Sequence, residues 1–431
     1  MRIRSTLILV AGLSLVLAAC GDDDGGAKRT ASPTPTLTAT AAPATATSLP
    51  AATNTSAPTA TATAPPTATP PLLSTDTPTA APTDTPSLLD ELEASGVGKY
   101  VGAIAPISNA PNGAWTRYLY DPATEQAICL RGGQYQVNVH QGTTNKVLLY
   151  LEGGGACWNN ESCWTQPSAK LDATPFFGSG ILLLDRADNP FHGWHVVYAP
   201  YCDGSVFAGD NIVDYAGGRT YHHGLQNLSA AVTLMLEQFP DPELVVVSGS
   251  SAGGYGTFAG YGVTRVAYPD TPILVLNDSG PGVQNPESTQ DIEDRQTNWR
   301  INETIPATCT RCSEQYSYLT EWALQRDPTL RYGLFSSLRD AIIRSFNDLD
   351  ETQYEALLRA VTGDIQGRNP DRFKRFLVQG AGHTMLLFPQ FYTTEIDGTL
   401  LRDWTADFLT DGPAWQDLIA ADPNADAAGG G

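Results

Sequence analysis

The segment Gly249-Ser250-Ser251-Ala252-Gly253 contains a serine placed to act as a nucleophile. It follows the apolar run from Leu244 to Ser248 and precedes a helix-compatible run, which is the strand-turn-helix context of a nucleophile elbow. Such a tight turn requires small residues around the serine, and a helix start supplies free amides that favour developing negative charge. We therefore predict that Ser251 is a nucleophile and that Ser250 shapes the turn.

A serine hydroxyl is a weak nucleophile and needs a general base. His383 lies in Gly380-Ala381-Gly382-His383-Thr384, directly after the last predicted strand, where an α/β-hydrolase presents its base on a loop. The adjacent pair His222-His223 indicates no metal site, because neighbouring side chains diverge and no acidic partner is suitably spaced. We therefore predict His383 as the base and assign structural positions to the other five histidines, His140, His192, His195, His222 and His223.

The base in turn needs a carboxylate that fixes its tautomer and stabilises the imidazolium. Asp340 follows the predicted strand Tyr332 to Phe335 by a short connection, in the usual chain order of serine, acid and histidine. Asp278 is the alternative, because it ends the strand that follows the elbow helix. The sequence favours Asp340 and leaves Asp278 open.

An oxyanion hole needs backbone amides aimed at the tetrahedral oxygen. The residue after the nucleophile, Ala252, would supply one amide. A second source is the triple-glycine loop Gly153-Gly154-Gly155, which opens from the apolar strand that ends at Leu151. Loop and elbow both follow strands and occur in the order that is typical of α/β-hydrolases.

These residues must be positioned by an alternation of buried strands and amphipathic helices. Apolar runs rich in Val, Leu, Ile and Tyr predict strands at 146–151, 195–199, 244–248, 273–277, 332–335 and 373–378. Helices are predicted between or after them at 225–239, 252–268, 313–325, 338–346, 352–362 and 399–409. This order predicts an α/β fold of α/β-hydrolase type, with a mostly parallel central sheet and helices on both faces. The polar segment 283–311 is predicted to be an insertion or lid.

The N-terminal region has the composition of an export signal followed by a spacer. Two arginines precede an apolar run that is too short to span a bilayer, so residues 1–20 predict a signal peptide. Leu17-Ala18-Ala19-Cys20 resembles a lipobox and predicts lipidation of Cys20, whereas an ordinary cleaved signal would leave a soluble protein. Residues 21–86 are mostly Thr, Ala, Pro and Ser, which predicts a disordered linker. We expect the globular domain over 87–415 and a flexible tail over 416–431.

Charge and cysteine content narrow the possible partners. The formal charge of −21 argues against nucleic acid and against direct binding of anionic lipid, because both require a basic face. We expect a monomer whose membrane contact is confined to a lipid on Cys20.

The other six of the seven cysteines predict disulfides in an exported chain, with Cys157-Cys163 and Cys309-Cys312 as local pairs. The partners of Cys129 and Cys202 are not fixed by spacing.

Several segments together resemble the pectin acetylesterase and Notum family of serine carboxylesterases. They are Leu149 to Trp158 with Cys163, Tyr201-Cys202-Asp203-Gly204-Ser205, Gly249 to Gly254, Asn277-Asp278-Ser279-Gly280, and Gly382-His383. The resemblance covers most of the predicted globular region. One departure is Ala156, where the family usually has an aromatic residue, and this predicts a more open wall near the acyl group.

The resemblance implies a triad of Ser251, Asp340 and His383, with oxyanion amides from Gly154, Gly155 and Ala252. It implies hydrolysis of an ester without cofactor or metal, on O-acetyl groups of a polysaccharide such as pectin or on a longer acyl chain of a protein. A tethered enzyme on a long stalk fits a polysaccharide better. A thioesterase or peptidase would use the same groups, and a catalytically silent surface-binding protein would retain the scaffold alone.

Overall fold

The computed structural model describes residues 86–421. The predicted signal peptide, Cys20, all but the last residue of the predicted linker, and residues 422–431 of the predicted tail lie outside the described residues. Within residues 86–421, no helix is long and apolar enough to cross a membrane.

The described chain contains one large sheet and two small antiparallel pairs. In chain order the strands are β1 (Ser108–Asn112), β2 (Trp115–Leu119), β3 (Gln136–His140), β4 (Lys146–Leu151), β5 (His195–Ala199), β6 (Asn211–Tyr215), β7 (Gly218–His222), β8 (Leu244–Ser250), β9 (Ile273–Asp278), β10 (Arg331–Ser337), β11 (Phe373–Val378), β12 (Glu395–Ile396), β13 (Thr399–Leu400) and β14 (Leu418–Ile419). The main sheet has the order β1-β2-β3-β5-β4-β8-β9-β10-β11-β14, while β6 pairs with β7 and β12 with β13. From β5 to β14 all neighbours are parallel, and β1, β2 and β3 add an antiparallel edge. The predicted mostly parallel α/β fold is confirmed.

Helices cover both faces of the sheet. They are α1 (Leu88–Ala94), α2 (Gly224–Gln238), α3 (Ala252–Ala267), α4 (Thr289–Trp299), α5 (Tyr318–Arg326), α6 (Ala341–Phe346), α7 (Glu351–Arg368) and α8 (Leu401–Thr410). Alternate residues of β4 point to opposite faces, so Leu149 lies in one buried cluster with α2 and α3, while Leu148 lies in a second with α8. Burial on both faces explains why the central strands are continuous apolar runs.

Several predicted boundaries differ from the structure. The segment 283–311 is not irregular, because it contains α4 and a short 3₁₀ turn at Ile301–Thr304. The predicted helix 338–346 begins only at Ala341, because the Asp340 side chain caps it by accepting hydrogen bonds from two backbone amides of its first turn. The antiparallel strands β1 and β2 were not predicted, since each has only five residues and neither contains a fully buried side chain.

The folded region also extends past the predicted boundary at 415. Residues of β14 pair with β11, and Asp417 forms an ion pair with the buried Arg375 at 2.7 Å. The first residues of the predicted flexible tail are therefore part of the sheet edge.

Candidate active site

Ser251 sits in the sharp turn between β8 and α3. Its backbone angles are φ 58° and ψ −120°, a conformation that L-residues rarely adopt and that marks a functional turn when the surrounding structure enforces it. A Cβ at Gly253 would collide with the carbonyl oxygen of Leu151 on β4, so only glycine allows this close approach. The turn therefore lifts the Ser251 hydroxyl to the carboxyl end of the parallel strands.

Three side chains from three strand ends meet at this point. His383 Nε2 lies 2.7 Å from Ser251 Oγ, and His383 Nδ1 lies 2.8 Å from Asp340 Oδ2. Because β8, β10 and β11 are neighbours or next neighbours in a parallel sheet, the loops after them converge. The arrangement can transfer a proton from a serine hydroxyl to an imidazole held by a carboxylate.

Asp340 is fixed by the start of α6. Its Oδ1 accepts hydrogen bonds from the amides of Ile342 and Ile343, both at 3.0 Å, and the side chain is fully buried. One carboxylate oxygen thus caps the helix while the other faces His383. Helix capping holds the carboxylate in the direction that the imidazole requires.

Asp278, the alternative to Asp340 as the triad acid, contacts the elbow and the loop after β11. Its carboxylate accepts hydrogen bonds from the Ser250 hydroxyl at 2.6 Å and from the backbone amides of Met385 and Leu386 at 3.1 and 3.0 Å. Its carbonyl oxygen accepts from the Ser251 amide at 2.8 Å. Burial raises the pKa of Asp278 to about 6, although these hydrogen bonds lower it. Asp278 therefore joins the elbow to the loop that carries His383.

The glycine loop after β4 lies beside the elbow. A Cβ at Gly153 would come within 2.9 Å of the Ser251 side chain, and Gly155 has a φ of 77° that disfavours other residues. Gly155 and Ala252 both line the cavity next to Ser251, while Gly154 is held through its carbonyl oxygen, which accepts from the Lys170 amide at 2.7 Å. The two predicted sources of oxyanion amides are thus adjacent.

Glu152 holds the start of this loop in place, and no sequence pattern predicted this role. Its buried carboxylate accepts hydrogen bonds from Lys170 Nζ at 2.8 Å and from the amides of Tyr201 and Phe176, each at 3.0 Å. Burial raises its pKa, and the Lys170 ammonium partly offsets that rise. Glu152 thereby joins the ends of β4 and β5 directly before the glycines.

Disulfides close the loops around the site. The structure joins Cys157 to Cys163 directly after the glycine loop, Cys309 to Cys312 in the segment before α5, and Cys129 to Cys202, the pair that sequence spacing left open.

A cavity of about 130 Å³ opens beside Ser251. Its walls are mainly apolar and include Trp158, Leu92, Val97 and Gly262. The lining follows α3 from Ala252 to Gly262, which corresponds to about 15 Å at the rise of an α-helix. The helix α1 and the turn after it therefore form part of the cavity wall, a role that no local pattern indicated.

The remaining histidines form hydrogen bonds or ring contacts with other parts of the fold. His195 Nδ1 accepts the Gly142 amide at 2.9 Å, His192 contacts the Leu184 carbonyl oxygen at 2.8 Å, and His223 contacts that of Gln126 at 3.0 Å. His140 ends β3. Among residues 86–421, no group of three or more His, Cys, Asp or Glu side chains is placed to hold a metal ion.

His222 is the buried histidine with the largest expected effect on stability. The Tyr215 hydroxyl donates to the Trp158 carbonyl oxygen and accepts from His222 Nε2 at 3.1 Å. Burial lowers the pKa of His222 from 6.5 to about 3. The folded protein therefore favours the neutral imidazole, while the unfolded chain gains a proton below pH 6.5.

Stability should accordingly fall as the pH drops from 6.5 towards 3. We expect wild type to lose about 2–3 kcal/mol more unfolding free energy than His222→Gln between pH 7 and pH 4.5. Glutamine keeps a donor at the Nε2 position but cannot titrate, so urea unfolding of both proteins at the two pH values isolates the effect. Equal losses in the two proteins would contradict a neutral buried His222.

Comparison with known proteins shows similarity to one family. The model of the family described as pectinacetylesterase matches residues 112–321. The chain is 31% identical over 166 residues to pectin acetylesterase 4 of Arabidopsis thaliana, covering 36% of this chain and 41% of that protein. It is 35% identical over 127 residues to the palmitoleoyl-protein carboxylesterase NOTUM of Schmidtea mediterranea, covering 26% and 24%. Against notum1' of Xenopus laevis it is 26% identical over 224 residues, covering 44% of each protein.

These matches cover part of the chain and part of each relative. The chain spans about two fifths of the length of the plant pectin acetylesterases that it matches. The family model includes the glycine loop and Ser251 but ends before Asp340 and His383. The assignment of His383 and Asp340 as partners of Ser251 therefore depends on the contacts between these three side chains.

Proposed function

Because the chain belongs to the pectin acetylesterase and Notum family, we propose that it is a serine carboxylesterase whose triad is Ser251, His383 and Asp340. The observation that carries this proposal is the continuous hydrogen-bonded line from Ser251 Oγ through His383 to Asp340, at 2.7 and 2.8 Å. Its position on a nucleophile elbow beside a glycine loop adds support.

The proposed reaction has two steps. Ser251 Oγ attacks the ester carbonyl while His383 Nε2 accepts its proton, and the amides of Gly154, Gly155 and Ala252 stabilise the oxyanion. The imidazolium then protonates the leaving alcohol, which departs and leaves an acyl-serine. Water, deprotonated by His383, attacks the acyl-serine, and the imidazolium returns the proton to Ser251 Oγ as the acyl–oxygen bond breaks and the carboxylic acid leaves. Asp340 stabilises the imidazolium in both steps.

We further propose that the enzyme is exported and tethered. The proposed organisation is a signal peptide over 1–20, a lipid on Cys20, a linker over 21–86 and a catalytic domain that starts at 87. The three disulfides support an oxidising, extracytoplasmic location. We propose that the enzyme acts as a monomer.

The first proposed substrate is an O-acetylated polysaccharide. A tethered enzyme on a long spacer can reach an insoluble polymer, and part of the chain is similar to a protein named pectin acetylesterase. Release of acetate from acetylated pectin and acetylated xylan, measured beside short-chain 4-nitrophenyl esters, tests this proposal. Absence of hydrolysis on every one of these esters would contradict it. Comparing ester, thioester and amide forms of one acyl group would separate the esterase from a thioesterase or peptidase.

The cavity favours a second candidate, hydrolysis of a longer acyl ester. An apolar cavity of about 150 Å³ in another protein holds a benzene molecule, so the present cavity exceeds what an acetyl methyl group occupies. Its wall extends about 15 Å along α3 from the nucleophile. Apolar walls of this length would stabilise a bound acyl chain by about 0.8 kcal/mol for each buried methylene.

Gly262 offers a test of this second candidate. A Cβ at Gly262 would contact Leu92 and Val97 at 3.5 and 3.7 Å, so alanine fits, whereas leucine must occupy space in the cavity. We expect Gly262→Leu to lower kcat/KM for a 4-nitrophenyl octanoate at least about tenfold, relative to the acetate, by excluding about two methylenes. Gly262→Ala is the matched control and should keep the wild-type ratio. An unchanged ratio in Gly262→Leu would mean that the far end of the cavity does not bind the acyl chain.

A further inference from the structure

The mainly apolar cavity beside Ser251 contains one charged side chain among the described residues, Arg295 on α4. This arginine is only 8% exposed. Its guanidinium lies over the ring of Trp158, 5.0 Å from the ring centroid. Within residues 86–421 the Arg295 side chain forms no ion pair or hydrogen bond, and its guanidinium contacts the Trp158 ring.

A buried guanidinium without an anion is costly. Arginine is seldom buried unless it is paired, because removal from water disfavours the charge unless a carboxylate or hydrogen-bond acceptors replace the solvent. A cation–π contact offsets only about 0.5–2 kcal/mol of that cost. Other buried arginines of this fold are paired, as Arg265 is with Asp327 at 2.7 Å and Arg375 with Asp417 at 2.7 Å. Arg295 differs from them in lying on a ligand-sized cavity.

A second polar group of the same cavity also lacks a partner. The Tyr316 hydroxyl is buried, lines the cavity and has no hydrogen-bond partner in the part of the chain that the structure describes. Burial raises the pKa of Tyr316 to about 12, and the nearby Arg295 guanidinium partly offsets the rise. Tyr316 can therefore donate a hydrogen bond to an acceptor that Arg295 also attracts.

Trp158 connects Arg295 to the glycine loop that is proposed to stabilise the oxyanion of the ester. Trp158 follows the glycine loop by three residues, and Trp158 Nε1 donates to Asp291 on α4 at 2.8 Å. The Arg295 guanidinium therefore lies against Trp158, which follows the proposed oxyanion loop in the chain.

We propose that Arg295 and Tyr316 form a subsite for a carboxylate carried by the ester substrate. This inference rests on the proposed esterase function. A guanidinium binds a carboxylate through two parallel hydrogen bonds, and the surrounding apolar walls strengthen the ion pair by excluding water. The carboxylate would come either from a uronate ring of the polysaccharide or from the free end of a dicarboxylic acyl group. Both sources share the same chemistry at Arg295.

Two substrate pairs distinguish these sources. Acetylated pectin with free carboxylates is compared with the same polymer after methyl esterification, and the monoadipoyl ester of 4-methylumbelliferone is compared with its hexanoyl ester. The polymers differ in whether the uronate carboxylates are free or methylated, and the two small esters differ in one terminal carboxylate. The variants are Arg295→Met, which keeps an apolar stem, Arg295→Lys, which keeps a charge, and Arg300→Met as a control at an exposed arginine just after the same helix.

We expect wild type to hydrolyse the carboxylate-bearing member of one pair with a higher kcat/KM than the neutral member. The pair that shows this preference identifies the source of the carboxylate. Arg295→Met should reduce the ratio of kcat/KM between the two members at least about tenfold, as loss of a charge-assisted contact predicts. Arg295→Lys should restore part of the ratio, and Arg300→Met should leave it at the wild-type value. Wild-type ratios in Arg295→Met for both pairs would overturn the subsite, as would an equal loss on both members accompanied by a lower Tm.

A binding measurement separates this inference from the proposed function. Calorimetry with Ser251→Ala and with Ser251→Ala/Arg295→Met would use trigalacturonate and adipate as probes. Binding that requires Arg295 supports the subsite even where no hydrolysis is found. Hydrolysis of neutral esters by wild type, with no Arg295-dependent binding of either probe, would leave the esterase standing and remove the subsite.

Discussion

Ser251→Ala should lower kcat for a 4-nitrophenyl ester by about a million-fold, which is the loss typical of removing a triad nucleophile. The substitution deletes the attacking oxygen and leaves the turn intact, since alanine is smaller than serine. Residual hydrolysis would come from binding and from the oxyanion amides alone. Rates with purified protein at neutral pH measure the loss.

Ser250→Ala is the matched control, because this neighbouring hydroxyl contacts Asp278 at 2.6 Å and Tyr150 at 2.5 Å rather than His383. A fluorophosphonate probe should label wild type and Ser250→Ala but not Ser251→Ala. Labelling of Ser251→Ala would remove the proposed nucleophile. A wild type that neither reacts nor hydrolyses would favour the alternative of a surface-binding protein.

Asp340→Asn should lower kcat by about 10⁴-fold while the protein stays folded. Asparagine keeps an oxygen that can accept the two amides at the start of α6, so the helix cap survives. Its amide nitrogen, however, would face His383 Nδ1, where the imidazole must donate. The resulting tautomer cannot accept the serine proton, so kcat falls while Tm changes little.

Asp278→Asn provides the comparison, since Asp278 was the alternative acid. Its carboxylate holds the loop amides of Met385 and Leu386, so the substitution should displace His383 slightly and cost about a hundredfold. Its Tm should also fall, because a buried acceptor of several hydrogen bonds is replaced by a donor. A larger kcat loss in Asp278→Asn than in Asp340→Asn would reverse the two assignments.

The fold was largely predictable because its central strands are buried on both faces. The strands at 146–151, 195–199 and 373–378 have the predicted bounds, since most of their residues are apolar and buried. The antiparallel edge was missed because strands such as SNAPN owe their conformation to pairing with a neighbour rather than to their own composition. Helix α4 was missed because its mostly polar sequence has a weak apolar face.

The sequence by itself determined the elements whose chemistry is local. The elbow around Ser251 and the glycine loop depend on small residues within a few positions, and His383 follows its strand directly. Only the tertiary structure decided which carboxylate reaches His383, because Asp278 ends β9 and Asp340 follows the neighbouring parallel strand β10, so both lie at the same edge of the sheet. It also decided the cavity, since Leu92, Gly262 and Arg295 are distant in the chain and line one cavity only when the helices pack over the sheet.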